Sequence, residues 1–132
     1  MLCMMIDAQQ HNITACDLYD APHNDWSVCS NLHSGRSGFG LAAVDDRLFA
    51  IGGVNLITGV ATQTIEISGA GGRGWMDGRW LPSPRTGMCV AVVGHTVWVI
   101  GGTNWDAVSP TASVVRYIIP LVKVKFGGRA PP

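Results

Sequence analysis

The stretch Arg36-Ser37-Gly38-Phe39-Gly40-Leu41-Ala42-Ala43-Val44 returns in similar form as Arg85-Thr86-Gly87-Met88-Cys89-Val90-Ala91-Val92-Val93. The next segments also match, because Leu48-Phe49-Ala50-Ile51-Gly52-Gly53 corresponds to Val97-Trp98-Val99-Ile100-Gly101-Gly102. The offset between the two copies is 49 residues throughout, without a gap. A fixed period in this range indicates a repeated supersecondary unit. The structure of one repeat therefore predicts the fold of the chain.

Each copy of the repeat shows a pattern of several short antiparallel strands. An apolar run at 38–44 is followed by the pair Asp45-Asp46, which suits a two-residue hairpin turn, and then by a β-branched and aromatic run at 47–51. Gly94-His95 occupies the turn position of the second copy. No segment has apolar residues at helical spacing over two turns, so the chain is predicted to be all-β. Further strands are predicted at 13–19, 62–67, 96–100 and 111–118, with short strands around Trp26 and Trp75.

A four-stranded antiparallel sheet repeated at this interval is typical of a propeller blade. The residues resemble the kelch family through several features in the expected order. These are Arg36-x-Gly38, the pairs Gly52-Gly53 and Gly101-Gly102, the stretch Asp17-Leu18-Tyr19-Asp20, a tryptophan at Trp26 or Trp75, and a tyrosine again at Tyr117. The resemblance implies kelch-type blades in which these glycines, tyrosines and tryptophans are structural. Trp26 and Trp75 are expected to pack between blades.

The repeat divides the chain into unequal parts. Residues 1–11 are interpreted as an N-terminal extension, 12–35 as the last two strands of a partial blade, and 36–84 as a kelch repeat. Residues 85–125 are a second kelch repeat that diverges at its end, and 126–132 are predicted to be a disordered tail. Propellers close with roughly four to eight blades, so these blades are expected to form an incomplete, open arc. The open arc predicts a fragment, or self-association through its exposed edges.

Because neighbouring strands of a blade run in opposite directions, the equivalent loops of all blades lie at the same end. Arg36 is expected beside the loop 54–61, and Arg85 beside the loop 103–110. In the kelch propellers that this chain resembles, that end binds partner peptides, and arginine can hold a carboxylate with two hydrogen bonds. The candidate partner-binding residues are Arg36, Arg85, Asn55, Asn104, Trp105 and Asp106. Alternatively, Arg36 and Arg85 tie neighbouring blades together through backbone carbonyl groups.

Composition argues against several function classes. The net charge is zero and only 14% of residues are charged, so a basic surface for nucleic acid or an anionic membrane is not predicted. There is no apolar run of the roughly 20 residues that span a bilayer, and the first residues do not resemble a signal peptide. Scattered cysteines and histidines (Cys3, Cys16, Cys29, Cys89, His11, His23, His33 and His95) lack metal-ligand or disulfide spacing. We therefore predict a cytoplasmic protein without a metal ion or cofactor.

The leading functional hypothesis is a protein–protein interaction module that binds a protein or peptide, with an acidic partner among those expected. The kelch resemblance implies partner recognition as in adaptors of cullin-based ubiquitin ligases, and an actin-binding or cytoskeletal scaffold is the alternative. A propeller enzyme that acts on sugars is less favoured, because no catalytic motif is present and His95 is expected at the wrong end of its blade. The glycine cluster at 69–74 is interpreted as a connection between blades and not as a phosphate-binding loop.

Overall fold

The computed structural model of the protein describes residues 2–3, 14–104 and 113–118. Within these residues, three antiparallel sheets follow one another along the chain, and a small hairpin is added to the middle sheet. The strands are β1 (Leu2–Cys3), β2 (Cys16–Asp20), β3 (Asp25–Val28), β4 (Gly40–Val44), β5 (Arg47–Ile51), β6 (Val54–Asn55), β7 (Val60–Ala61), β8 (Ile65–Ser68), β9 (Trp75–Asp77), β10 (Cys89–Val93), β11 (Thr96–Ile100) and β12 (Val114–Ile118). A single 3₁₀ turn at Ala70–Gly72 is the only helical element in the described part of the chain. The all-β prediction is confirmed.

The middle unit is a complete four-stranded blade. Its strands lie in the order β4-β5-β8-β9, and every neighbouring pair is antiparallel. Val44 pairs with Arg47 across the predicted two-residue turn, in which Asp45 and Asp46 both have positive φ angles. This conformation matches the right-handed twist of the strands that the turn connects. The prediction of kelch-type blades built from four antiparallel strands is therefore confirmed by this unit.

The flanking units each show three strands. The third unit has the order β10-β11-β12, and the rest of its predicted range and the predicted tail at 126–132 lie outside the described residues. The first unit has the order β1-β2-β3. Leu2 pairs with Asp17 in the way that Ala50 pairs with Glu66 in the middle blade. Part of the predicted extension 1–11 therefore adds a strand to the partial blade.

The loop after the first glycine pair has more structure than the sequence suggested. Residues 54–61, which show no regular pattern, form the β6–β7 hairpin, and Ser37 pairs with Val54 at its base. The next strand, predicted at 62–67, begins only at Ile65. The backbone of Thr62 is used elsewhere, because its N–H bonds to Gly53 and its carbonyl accepts from Arg85. The backbone just before Ile65 therefore bonds at the junction between units and does not extend the strand.

Alternation along β5 buries both faces of the middle blade. Phe49 and Ile51 lie in one apolar cluster, whereas Leu48 and Ala50 belong to a second one. The first cluster lies between the middle and third units and contains Ala42, Val44, Phe49, Ile51, Ile65, Leu81, Val97 and Val99. The second lies between the first and middle units and contains Cys16, Leu32, Ala50 and Trp75. The hydrophobic core is therefore located between blades.

The two signature tryptophans have different environments. Trp75 is 8% exposed, packs in the second cluster, and donates its indole N–H to the carbonyl of Ser30 at 2.8 Å. Trp26 is 51% exposed and lies against Tyr19, with 5.0 Å between the ring centroids. This corrects the expectation that Trp26 packs between blades.

Candidate functional site

The predicted partner-binding end of the middle blade contains a small polar pocket. Arg36 and Asn55, two candidates from the sequence, lie in its wall together with hydroxyl side chains of the neighbouring loops. The pocket has a volume of about 260 Å³ and is lined by Ser34, Gly35, Arg36, Asn55, Thr58, Val60 and Thr62. The structure thus brings Arg36 and the loop 54–61 together, as antiparallel alternation requires. A pocket of this size can hold a single side chain of a partner.

Arg36 is a buried residue of the pocket wall, and its guanidinium group links two strands of the blade. One terminal nitrogen, Nη1, donates to the carbonyl of Gly52 at 3.0 Å and to that of Thr64 at 3.1 Å. The other, Nη2, donates to Ser34 Oγ at 2.9 Å and to Glu66 Oε2 at 2.6 Å. These bonds connect the end of β5 to the start of β8. The geometry supports a structural role for Arg36, while its contact with a partner stays a prediction.

Glu66 is the residue of this site that sequence reasoning missed. Its carboxylate is buried, pairs with Arg36, and accepts a hydrogen bond from the backbone N–H of His33 at 2.6 Å. The available signal was an acidic residue between two isoleucines in a predicted strand, 49 residues after Asp17. A buried carboxylate in such a strand requires a positively charged or hydrogen-bonding partner. Glu66 supplies the counter-charge that makes the burial of Arg36 tolerable.

Arg85 has the same backbone environment as Arg36 but a different electrostatic one. It donates to the carbonyl groups of Gly101 and Ser113 at 3.2 and 3.3 Å, and to the hydroxyl groups of Ser83 and Ser113. Val115 stands where the repeat places Glu66, and no carboxylate of the described residues reaches Arg85. All oxygens that it contacts within that part of the chain are therefore neutral.

Burial lowers the pKa of both guanidinium groups. Loss of hydration lowers the pKa of Arg36, and the nearby Glu66 carboxylate opposes this change. Burial also lowers the pKa of Arg85. Both side chains remain cations at neutral pH, because an arginine does not lose its proton in proteins. In each residue the Nε atom is buried and has no hydrogen-bond partner in the part of the chain that the structure describes.

The other two partner-binding candidates that the structure describes, Asn55 and Asn104, lie at equivalent positions of the middle and third units. The Asn55 side chain accepts hydrogen bonds from the backbone N–H groups of Ile57 and Thr58, at 2.9 and 3.2 Å, and so shapes the turn that lines the pocket. Asn104 is half-buried and follows Thr103, which pairs with Thr86 at the end of the third unit. Trp105 and Asp106 lie outside the described residues, as does the side chain of Tyr117.

The glycine pairs directly follow the strands β5 and β11. Gly52, Gly53, Gly101 and Gly102 all have positive φ angles. At Gly52 a Cβ atom would lie 2.5 Å from the carbonyl oxygen of Arg85, so only glycine fits without movement. The next residue, Gly53, donates its N–H to the same carbonyl at 2.9 Å. The first glycine pair is therefore one of the places where the middle blade contacts the third unit through the backbone.

The opposite end of the blades has a different character. A mainly apolar pocket of about 260 Å³ lies there, lined by Leu18, Ala43, Asp46, Arg47, Leu48, Gly71 and Gly72. His95 lies at this end, as predicted, and its Nδ1 is 2.8 Å from a carboxylate oxygen of Asp45 in the neighbouring hairpin turn. Among the described residues there is no group of histidine, cysteine or acidic side chains suited to a metal ion. None of the helices described is long and apolar enough to cross a bilayer.

Comparison with known proteins agrees with the repeat geometry. Residues 84–119 match the kelch motif. The third unit is therefore similar to a kelch repeat. Beta-scruin of Limulus polyphemus is 29% identical over 87 residues, which is 66% of this chain and 9% of that protein. Alpha-scruin of the same organism is 29% identical over 85 residues, or 64% of this chain and 9% of the relative. The part of this chain that matches thus spans about a tenth of the length of these relatives.

Proposed function

We propose that these kelch blades form a protein-interaction module that binds a peptide segment of a partner at the Arg36 end. The observation that carries the proposal is the pocket that joins Arg36, Asn55 and the β6–β7 turn. Its lining offers hydroxyl and amide groups that can exchange hydrogen bonds with a ligand. It suits a polar side chain of a peptide lying across the blade ends.

The two arginines lead to different preferences for the charge of a ligand at neighbouring blades. Glu66 balances Arg36, so the pocket beside Arg36 selects its ligand through hydrogen bonds and not through net charge. Arg85 has no counter-charge within the described residues, so the end of the third unit is the more positive of the two. Field lines from a buried charge reach further than those of a solvated one. An acidic residue of the partner is therefore expected nearer to Arg85 than to Arg36.

A peptide-display library selected against the 132-residue chain tests the binding site. We expect enriched peptides to lose about tenfold or more in affinity when Thr58→Tyr fills the pocket. Ala70→Tyr is the matched control, because Ala70 is exposed at the opposite end of the blade. Equal affinities of both variants for the selected peptides would place the binding surface elsewhere and overturn the proposal.

The proposed acidic preference has its own test. Val115→Glu places a carboxylate below the surface near Arg85 without changing the residues that a peptide touches, and Val115→Gln has nearly the same shape without the charge. Val115→Glu is expected to lower the affinity for acidic peptides relative to neutral ones, whereas Val115→Gln is expected to leave this ratio unchanged. If both variants bind acidic peptides alike, Arg85 does not attract them.

The finer proposal is that this recognition serves a cullin-based ubiquitin ligase. It rests on the resemblance to kelch adaptors, and co-precipitation of a cullin with a longer form of the protein tests it. Co-sedimentation with actin filaments in place of cullin binding would instead favour the cytoskeletal scaffold. A cytoplasmic location agrees with either role and stays a prediction, which imaging of the tagged protein would check.

A further inference from the structure

Each unit of this arc has two faces that can be defined by their neighbours. The front face points towards the preceding unit and, in the middle blade, carries Leu48, Ala50 and Trp75. The rear face points towards the following unit and carries Val44, Phe49, Ile51 and Ile65. The same pairing of a rear face with a front face occurs twice in the chain, once on each side of the middle blade. The chain therefore contains its own pattern for stacking units.

Among the described residues, no further unit packs on the rear face of the third unit. Val93 is 67% exposed, whereas Val44, its counterpart 49 residues earlier, is 7% exposed. Ile100 and Val114 are likewise exposed, while their counterparts Ile51 and Ile65 are almost completely buried. Trp98, at the position of Phe49, is only half-buried and lies under the guanidinium of Arg116 at 5.9 Å. An apolar surface of this kind is characteristic of an interaction site.

The front face of the first unit is exposed in a complementary way. Trp26 and Tyr19 form an aromatic pair at the positions that Trp75 and Ser68 occupy in the middle blade. Trp75 and Ser68 are buried there, whereas Trp26 and Tyr19 are open to solvent. The two exposed faces are thus one front face and one rear face. They are the two members of the pairing that the chain already makes twice internally.

We propose that a second copy of this chain docks head-to-tail, with the front face of its first unit on the rear face of the third unit of the other copy. Continuity of the repeat identifies the occupant, because this contact repeats the arrangement seen between successive units. Aromatic and apolar groups lie on both sides of the contact, and burying such groups is the main driving force for association. The contact joins different surfaces on the two copies, so it can extend to rings or longer assemblies.

Mixing of two face variants tests the head-to-tail geometry. The rear variant Val93→Asp/Val114→Asp and the front variant Tyr19→Ser/Trp26→Asp each disable one face and leave the other intact. By sedimentation velocity over a range of concentrations, the unmodified chain should form reversible species at multiples of 14.0 kDa. Each variant alone should need about tenfold or more protein to associate. An equimolar mixture should form a dimer that does not grow further.

The controls separate this proposal from other outcomes. Ile57→Asp changes an equally exposed apolar residue in the β6–β7 turn, outside both faces, and should associate like the unmodified chain. Far-ultraviolet circular dichroism confirms that each variant retains its sheets. A single 14.0 kDa species of the unmodified chain at all concentrations overturns the proposal. Association that both face variants retain, or variants that fail to complement one another, overturns it as well.

Discussion

At the scale of single residues, the repeat supplies an internal comparison of two buried arginines. Arg36 and Arg85 bond the same kinds of backbone carbonyl, but only Arg36 has a buried carboxylate beside it among the described residues. The sequence predicted the arginines and, as one of two roles, backbone bonds that tie neighbouring blades together. The carbonyl groups that accept these bonds instead belong to the arginine's own unit, which corrects that expectation. The sequence did not reveal Glu66 as a partner, because Glu66 lies 30 residues away and reaches Arg36 only in the folded sheet.

The ion pair leads to the first prediction. Glu66→Val should lower the free energy of unfolding by about 3–5 kcal/mol, because it leaves the Arg36 cation buried without a counter-charge. Arg36→Leu combined with Glu66→Val should cost clearly less than the sum of the single variants, since both charges are then removed. Urea denaturation of the four proteins measures this coupling. Simple additivity would show that the pair contributes no coupling to stability.

The second prediction uses the missing carboxylate of the third unit. Val115→Glu should give a free energy of unfolding about 1–3 kcal/mol higher than Val115→Gln, because only the glutamate offers Arg85 a charged acceptor. Both variants lose the packing of Val115 to the same extent, so their difference reports the charge. Equal urea midpoints for the two variants would mean that residue 115 does not reach Arg85.

At the scale of elements, the hairpins that are fixed by their own turns were predicted, and the elements that depend on contacts between units were not. The β4–β5 and β10–β11 hairpins begin and end at their turns as predicted, because a two-residue turn sets the register of both strands. The start of β8 and the β6–β7 hairpin were not predicted. Both depend on contacts between units, such as the bond from the Arg85 N–H to the carbonyl of Thr62.

The third prediction concerns the junction glycine Gly52. Gly94→Ala should cost about 1–2 kcal/mol of stability, the price of a positive φ angle in a residue with a Cβ, since no atom lies within 4 Å of that site. Gly52→Ala has a similar φ angle and also places its Cβ against the carbonyl oxygen of Arg85. It should therefore cost at least about 1 kcal/mol more. Thermal unfolding of the two variants compares these costs, and equal losses would contradict the close approach.

At the scale of the whole molecule, the position of a unit in the arc decides which residues are buried. The sequence predicts alternating apolar residues in every copy, and their pattern is alike in the second and third units. Val44 and Val93 nevertheless differ in exposure, because within the described ranges only Val44 has a following unit packed against it. The open-arc prediction agrees with this arrangement of the described sheets.

The fourth prediction tests this dependence with the two tryptophans. Trp75→Ala should lower the free energy of unfolding by about 3–5 kcal/mol, since it opens a cavity between the first and middle units. Trp26→Ala should cost about 1 kcal/mol, mainly through loss of the pair with Tyr19. Urea denaturation at low protein concentration, where chains are separate, measures both losses. Comparable losses would indicate that Trp26 is packed in solution.

The sequence by itself determined the β4–β5 and β10–β11 hairpins, their turns and the glycine pairs that follow them, because hydrophobic alternation and turn chemistry act over a few neighbouring residues. The 49-residue period also determined that the units are similar blades. Only the tertiary structure decided that Glu66 neutralises Arg36, that Trp75 is buried while Trp26 is not, and that Arg36 and Asn55 share one pocket. These features depend on which surfaces meet after folding, and contacts between residues far apart in the chain leave little trace in local patterns.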